Sequence, residues 1–269
     1  MSGPVRTPVT VLPDEEWGEL AVKDETQQKS GAFKYRGTFH RTAGLAPGTR
    51  IVAASTGNHA SGLALASAER GLHLTVYVPQ TIPQAKLARI AGAGAHPVLV
   101  EGGYDDCELA ARRTAEQTGA LFVHSFDDDQ VIEGHRSLFR ECSEQNGVPD
   151  VVFVPVGGGG LVTAALREWG GRVRVIGVEY EQAPALALSL RAGRRITLDS
   201  AAGMPEGLLV RRIGRSPSTP RSSTASRWSP CRTPICAPRC TGSGTRRGSG
   251  PRGRALRLWR LRCIGGTGR

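Results

Sequence analysis

The 269-residue chain has few lysines, few aromatic residues and no long apolar run. Only four of its 35 basic residues are lysines, and aromatic residues make up 5% of the chain. No apolar stretch approaches the roughly 20 residues that a membrane-spanning helix needs. The N-terminal residues show no apolar segment behind their charge, so we expect no secretory signal. Cys107 and Cys142, the only cysteines before residue 214, form no spacing pattern. We therefore expect an intracellular, cytoplasmic protein with no membrane partner.

Acidic residues are missing from the C-terminal part, where Glu206 is the last carboxylate. The whole chain has a formal net charge of +11, but residues 211–269 hold 15 arginines and no lysine. The preceding part carries 20 basic residues against 24 acidic ones, a net charge of −4. The basic character therefore belongs to the tail, and the rest of the chain is mildly acidic.

The tail, residues 214–269, is rich in Arg, Ser and Pro, and we expect it to be disordered. Between Gly214 and Gly250 only 7 of 37 residues are apolar, too few to offset the entropy of ordering the segment. GC-rich codons read out of frame produce this composition. A shifted reading of Cys236–Arg254 can encode an amphipathic helix leading into an E-G-A-G motif. We hypothesise that a frameshift near codon 214 produced the tail.

The composition of the tail allows two other interpretations. An arginine-rich arm could bind nucleic acid electrostatically, but no recognisable binding module accompanies it, so we expect no nucleic-acid partner. A zinc site built from Cys231, Cys236, Cys240 and Cys263 would lack the usual paired spacing and any histidine of the tail. We therefore expect no metal.

Short apolar runs alternate with helical patterns up to about residue 180, which predicts a doubly wound α/β architecture with parallel sheets. The predicted strands are Ile51–Ala54, Leu74–Val78, His96–Val100, Leu121–His124, Val151–Val156 and Val173–Val178. The predicted helices are Ala60–Arg70, Gln84–Ala91, Asp105–Gly119, Val131–Gln145 and Leu161–Trp169.

The first motif surrounds Lys34 in the segment Ser30-Gly31-Ala32-Phe33-Lys34-Tyr35-Arg36-Gly37. Ser30 could cap a helix that begins just after it. A lysine in a partly dry pocket can lose its proton and form a Schiff base with an aldehyde, although an isolated helix lysine is more often simply solvated. With only four lysines in the chain, Lys34 is a candidate nucleophile.

The second motif, Ser55-Thr56-Gly57-Asn58-His59, follows the predicted strand 51–54 directly. A polar turn at the carboxyl end of a parallel strand presents hydroxyls, an amide and backbone N–H groups where open α/β sheets bind ligands. An ordinary helix cap formed by Ser55 or Asn58 would explain the same residues.

The third motif is a run of four glycines, Gly157, Gly158, Gly159 and Gly160, between a predicted buried strand and a helix. Their N–H groups can wrap a phosphate more closely than any side chain could. A P-loop is excluded because no Gly-Lys-Ser/Thr follows. A dinucleotide site stays open as an alternative, with Glu179 as the ribose-binding acid, although Val162 stands where its third glycine belongs.

Together the three motifs resemble the fold-type II pyridoxal-phosphate enzymes, the tryptophan synthase β-like family, and within it the serine/threonine dehydratase branch. The resemblance covers about residues 5–213. Further matches are Glu25, Gln28, Arg36-Gly37, His124-Ser125-Phe126-Asp127-Asp128 and Ile132-Glu133-Gly134. Two departures are Ala32, where serine is usual, and His135-Arg136-Ser137, where Gln-Gly-Thr is common.

The resemblance implies a role for each matched position. Lys34 would hold pyridoxal 5'-phosphate as a Schiff base and act as acid and base at the substrate Cα, and Phe33 would lie against the pyridine ring. Asn58 would bind the 3-hydroxyl of the cofactor. Gly157, Gly158, Gly159, Gly160 and Leu161 would hold its phosphate, and Ser55, Thr56, Gly57 and His59 would surround the substrate carboxylate.

The resemblance also implies two domains with the cofactor between them. Residues 1–48 and 127–213 would form the large domain, left incomplete by the tail, and residues 49–126 the small one. The implied reaction is α,β-elimination of L-threonine or L-serine to a 2-oxo acid and ammonia, and a homodimer is expected. β-Replacement on a serine derivative, a catalytically impaired frameshifted relative and, less favoured, a nucleotide-binding oxidoreductase stay open.

Overall fold

The computed structural model describes residues 3–14 and 18–216 in full, and the backbone of residues 257–262. Strands and helices largely alternate along this part of the chain. The strands are β1 (Val9–Asp14), β2 (Gly18–Asp24), β3 (Arg50–Ala54), β4 (His73–Pro79), β5 (His96–Val100), β6 (Leu121–Phe122), β7 (Val151–Pro155), β8 (Arg174–Val178) and β9 (Arg257–Arg262). The helices are α1 (Lys34–Arg41), α2 (Asn58–Ala68), α3 (Gln84–Gly92), α4 (Tyr104–Thr118), α5 (Asp129–Asn146), α6 (Gly160–Trp169) and α7 (Ala185–Ala192).

The strands β3 to β6 form one sheet in the order β5-β4-β3-β6, and every pair of neighbours is parallel. Side chains alternate along β3, so Ile51 and Ala53 pack with α2 while Val52 and Ala54 pack with α4 on the other face. Because helices cover both faces, a continuous apolar strand is stable here.

The second sheet has the order β1-β2-β9-β7-β8, in which β1 and β2 are antiparallel and the other pairs are parallel. Its main core packs Val152 and Val154 of β7 against α5 and α6. There the rings of Phe139 and Trp169 meet edge to face, with centroids 5.0 Å apart.

The α/β prediction is confirmed, and each predicted strand and helix is present with modest shifts at its ends. The sequence did not predict β1, β2 or α7. The small sheet uses residues 50–122 and the large sheet takes its strands from either side of them; the exact domain boundaries stay a prediction. At its edge the large sheet departs from the parallel pattern, because β1 pairs antiparallel with β2, as edge strands of otherwise parallel sheets commonly do.

The tail contributes β9, which lies between β2 and β7 and pairs in parallel with both. The expectation of disorder is therefore wrong for residues 257–262, since a parallel ladder requires only a free backbone edge on each side. At the start of the tail, the N–H of Gly214 donates to the Gly158 oxygen at 3.0 Å. Residues 217–256 and 263–269 lie outside the described residues, and with them the four tail cysteines and the hypothesised frameshifted helix.

Candidate active site

Lys34 is the first residue of α1, and its Nζ donates a hydrogen bond of 2.6 Å to the main-chain oxygen of Ser125. The same Nζ lies 5.2 Å from the centre of the Phe33 ring. Ser30 does not cap this helix, so that prediction is wrong; its hydroxyl donates to the Ala32 oxygen, and α1 starts at Lys34 with no side-chain cap. The lysine thus stands at a helix start, beside the loop that follows β6.

The helix α2 approaches the start of α1 at Gly62. A Cβ added there would lie 3.1 Å from the Tyr35 nitrogen and 3.2 Å from the Lys34 carbonyl carbon. Such a short separation between two backbones is possible because glycine has no side chain. The first two sequence motifs are therefore neighbours in space.

Arg36 anchors α1 on the side away from α2. Its guanidinium is buried and donates to Glu25 at 2.7 and 2.9 Å and to Glu141 of α5 at 2.7 and 2.8 Å. Lys23 adds a second buried cation, whose Nζ donates to Glu141 at 2.8 Å. Burial would raise the pKa of Glu141, but the hydrogen bonds from Arg36 and Lys23 lower it overall. Two cations face two carboxylates, so the cluster is balanced and fixes the position of α1.

The loop of residues 124–127 connects the lysine to the glycine run. The oxygen of Ser125 accepts the Lys34 hydrogen bond, and the next side chain, Phe126, lies on the glycines. A Cβ added at Gly158 would overlap the Phe126 ring, and one added at Gly160 would lie 3.0 Å from the Phe126 oxygen. The first and third motifs therefore both lie against this loop.

The other two glycines are required for different reasons. Gly159 has φ +92°, a left-handed conformation that favours glycine. A Cβ at Gly157 would lie 2.9 Å from the Gly207 oxygen, in the short 3-10 turn Glu206–Leu208 that covers the loop. Among the described residues, no acceptor is recorded for the N–H groups of Gly157, Gly158 and Gly159. Leu161 is buried in the core, so it can offer a ligand only its backbone.

The polar turn between β3 and α2 is half-buried, with Asn58 as the first residue of α2. The Ser55 hydroxyl accepts from the N–H of Gly57 at 3.2 Å and from that of Ala60 at 3.3 Å. Ser55 therefore stabilises the start of the helix, as the capping alternative predicted. Thr56, Gly57 and Asn58 stand at the carboxyl end of β3, the position where open α/β sheets bind ligands.

His59 lies deeper than its neighbours in this motif. The side chain is buried, and its Nε2 donates to the Val123 oxygen at 3.3 Å. Burial and the charge of Lys34 lower its pKa to about 3. A second buried imidazole, His135 of α5, packs edge to face on Phe33 at 4.9 Å, and burial followed by the Lys34 charge also lowers its pKa well below the ordinary range. Two uncharged histidines thus lie near the lysine, and His59 is buried behind the turn.

Glu179 has a structural partner that its position in the sequence did not reveal. Its two carboxylate oxygens accept from the N–H groups of Leu186 and Ala187, at 2.7 and 2.8 Å, in the first turn of α7. The side chain therefore caps a helix, which disfavours the ribose-binding role required by the dinucleotide alternative. In the described ranges, no group of three or more His, Cys, Asp or Glu side chains could hold a metal ion.

The sequence did not assign roles to Ser125, Phe126 or Tyr104, although all three belong to the cleft. The Tyr104 hydroxyl, from the first turn of α4, lies 3.1 Å from the Ser125 hydroxyl. Their position just after β6, at the carboxyl end of a strand, was the signal in the sequence that could have identified residues 125 and 126.

No helix among the residues described has the length and apolar character needed to cross a bilayer.

The fold and the site define a class of protein: two α/β sheets, with a lysine and a glycine loop that both contact one connecting loop. The chain belongs to the pyridoxal-phosphate dependent enzyme family, whose model matches residues 2–225. It is 38% identical over 211 residues to the L-threonine ammonia-lyase of Thermotoga maritima, covering 76% of this chain and 53% of that protein. It is 37% identical over 202 residues to the L-threonine ammonia-lyase of Geobacter sulfurreducens, covering 71% and 49%.

Two solved structures superpose on this chain. The processed form of threonine deaminase isoform 2 from Solanum lycopersicum superposes with a TM-score of 0.74 at 28% identity, covering 80% of this chain and 66% of that one. Maize serine racemase superposes with a TM-score of 0.74 at 30% identity, covering 80% and 68%. The chain spans about half the length of the curated relatives it matches.

The residues of the cleft fit the cofactor of this family. Pyridoxal phosphate needs an amine for its aldehyde and an anion site for its phosphate. Lys34 would supply the amine, and the glycine run would supply backbone N–H groups that have no acceptor among the described residues, in a loop where added side chains would collide or strain. The described part therefore contains the two groups that the cofactor requires first.

Proposed function

We propose that this chain uses pyridoxal 5'-phosphate to eliminate water from L-threonine or L-serine, giving a 2-oxo acid and ammonia. The observation that carries the proposal is the path from Lys34 through Ser125 and Phe126 to Gly158 and Gly160. It joins the Lys34 amine to the glycine run through one loop, which supports a shared site for a nucleophilic amine and a bound anion. The names of the curated relatives, L-threonine ammonia-lyases, support threonine as the substrate.

Each residue group has a separate task in this proposal. The N–H groups of Gly157, Gly158, Gly159 and Gly160 hold the phosphate, together with that of Leu161. The Asn58 amide donates to the 3-hydroxyl of the ring, and Phe33 lies along the ring. Bound in this way, pyridoxal phosphate supplies an electron sink that stabilises negative charge at the substrate Cα.

The lysine moves the proton. Lys34 Nζ takes the proton from the substrate Cα, and the C–O bond at Cβ breaks as the β-hydroxyl takes up a proton and leaves as water. The enamine that is released becomes an imine, which water hydrolyses to the 2-oxo acid and ammonia. The Ser125 oxygen, which accepts from Nζ at 2.6 Å, orients the amine. Ser55, Thr56 and Gly57 bind the substrate carboxylate at the start of α2, where the helix dipole favours an anion. His59 is buried behind this turn, and its hydrogen bond to the Val123 oxygen ties the start of α2 to the segment after β6.

An absorbance spectrum combined with a product assay tests the proposal. The full-length chain incubated with pyridoxal phosphate should absorb near the visible edge, and Lys34→Ala should lose that band. Lys29→Ala is the matched control, because Lys29 pairs with Glu69 at the surface. Adding threonine or serine should then release a 2-oxo acid and ammonia.

Three results would contradict the proposal. An unchanged band in Lys34→Ala would show that another lysine holds the cofactor. A band without 2-oxo acid, but with a new product when a thiol nucleophile is added to a serine derivative, would favour β-replacement. If the wild-type chain shows no band, the catalytically impaired alternative replaces the proposal.

The resemblance also leads us to propose a small amino acid as the ligand and a homodimer as the assembly, which sedimentation would measure. We propose an intracellular location, since the buried Cys107 and Cys142 are both free thiols and reduced cysteines are typical of that compartment.

A further inference from the structure

The loop of residues 124–127 contacts three other parts of the chain but contains no helix or strand. Ser125 holds the lysine, Phe126 covers the glycine run, and Asp127 accepts the N–H of Arg215 at 2.9 Å. A loop of this kind keeps one conformation only where local hydrogen bonds define it. The side chains that define this loop therefore control the geometry of the lysine.

His124 makes the hydrogen bonds that shape the loop. Its Nδ1 accepts from the N–H of Phe126 at 3.1 Å and from that of Asp127 at 2.9 Å. Its Nε2 lies 3.2 Å from the Glu108 carboxylate of α4. A nitrogen that accepts two N–H bonds cannot itself donate, so the partners assign Nδ1 as the acceptor and Nε2 as the donor to Glu108.

The helix α4 supports the loop at two points one helical turn apart. Glu108 holds the imidazole, and Tyr104, four residues earlier on the same face, lies 3.1 Å from the Ser125 hydroxyl. Arg112, one turn further on, pairs with Glu108 at 2.7 Å and keeps that carboxylate oriented. The loop is thus supported from α4, on the side of the small sheet away from α2.

We propose that His124 is a positioning residue for Lys34. It holds loop 124–127 closed at Nδ1 and fastens it to Glu108 at Nε2, which places the Ser125 oxygen on the amine and the Phe126 ring on the glycine run. The role of His124 in catalysis rests on the proposed function. Its effect on the position of the Lys34 amine does not, and can be tested without cofactor.

Two substitutions of His124 separate its two hydrogen-bonding ends. In His124→Asn, the side-chain oxygen stands near the place of Nδ1 and can accept the same two N–H groups, as asparagine does in tight turns. In His124→Gln, the longer amide reaches toward Glu108 but cannot close the loop. The asparagine variant should therefore preserve the lysine geometry, and the glutamine variant should lose it.

The measurement is acetylation of the full-length chain by acetic anhydride without cofactor, followed by peptide mass spectrometry. Acetylation of Lys34 is normalised to Lys29, whose ion pair with Glu69 lies outside the loop. Losing two backbone hydrogen bonds should make Lys34 about tenfold more reactive in His124→Gln, and His124→Asn should stay within about twofold of wild type. Tyr104→Phe removes one contact and should give about a threefold increase.

The outcomes are distinct. If His124→Asn and His124→Gln change Lys34 equally, or if neither changes it, the inference is wrong. Should His124→Gln fail to fold by circular dichroism, Tyr104→Phe decides, and an unchanged reactivity there overturns the inference. Affinity for pyridoxal phosphate should follow the same order, with His124→Gln at least about tenfold weaker.

The same experiment separates the inference from the proposed function. If the asparagine–glutamine difference in Lys34 acetylation appears while wild-type protein shows no cofactor band, the loop inference stands and the proposed function fails. If wild type shows the band but acetylation and affinity are the same in all variants, the proposed function stands and the inference fails.

Discussion

Acidification from pH 7.5 to pH 5.0 should destabilise this protein through two buried histidines. Burial and the Lys34 charge lower the pKa of His59 to about 3 and that of His135 well below its ordinary range. In the unfolded chain a histidine titrates near pH 6.5. Below about pH 6.5, the unfolded state therefore binds a proton at each position that the folded state does not bind, and stability falls as the pH falls.

The magnitude follows from the width of that window. Each such group lowers the free energy of unfolding by about 1.4 kcal/mol per pH unit below 6.5. At pH 5.0 the loss through His59 is about 2 kcal/mol, a substantial part of the roughly 5–15 kcal/mol available to a typical domain, and His135 adds to the loss in the same direction. Burial raises the pKa of Glu179, which acts in the opposite direction, and Glu108, with its pKa lowered to about 2, adds its loss only below about pH 4.5.

Urea unfolding followed by circular dichroism at fixed ionic strength would measure this loss. His135→Gln removes one titrating group and should reduce the difference between pH 7.5 and pH 5.0. His73→Gln is the matched control, because His73 is exposed, and it should leave the difference unchanged. If His135→Gln loses as much stability as wild type over this interval, the folded protein protonates that imidazole, and the reasoning from its burial is wrong.

Three further predictions concern the glycine run, the charge cluster and the gene. Gly158→Ala should weaken pyridoxal phosphate binding at least about tenfold in a spectroscopic titration, because its Cβ would overlap the Phe126 ring. Gly92→Ala, with open space around it, should leave the affinity unchanged. Arg36→Leu should lower the free energy of unfolding in urea by about 3–5 kcal/mol, because it leaves the buried Glu25 carboxylate without its cation. The control Arg140→Leu, at a half-exposed position, should cost less than about 1 kcal/mol. Equal losses in the two variants would contradict this interpretation. Correcting the gene by one base near codon 214 should restore a normal continuation and tighter cofactor binding; resequencing that finds no intact alternative frame there would refute the frameshift hypothesis.

Local pattern was sufficient to predict the interior strands and the helices that cover them. Ile51–Ala54 is apolar at successive positions, and its alternate side chains do face helices on opposite sides of the sheet. The strands β1 and β2 escaped prediction because they lie at or near the edge of the large sheet, where Val11 and Leu12 are exposed and no clean alternation results. The sequence suggested that a helix begins just after Ser30, whereas α1 begins at Lys34. That start has no side-chain cap, so no capping residue marks it in the sequence.

The sequence by itself determined the fold class and the two chemical groups that identify the family, a lysine after Phe33 and four glycines after a buried strand. Both signals are local, because the residue types and their order carry them. Only the tertiary structure decided how these groups meet. The contact passes from Lys34 to the loop after β6 and on to the glycines, and His124 holds that loop from α4. Such contacts join residues far apart in the chain, so no spacing reveals them. The neutral state of His59 and His135 has the same origin, since burial exists only after the helices have packed.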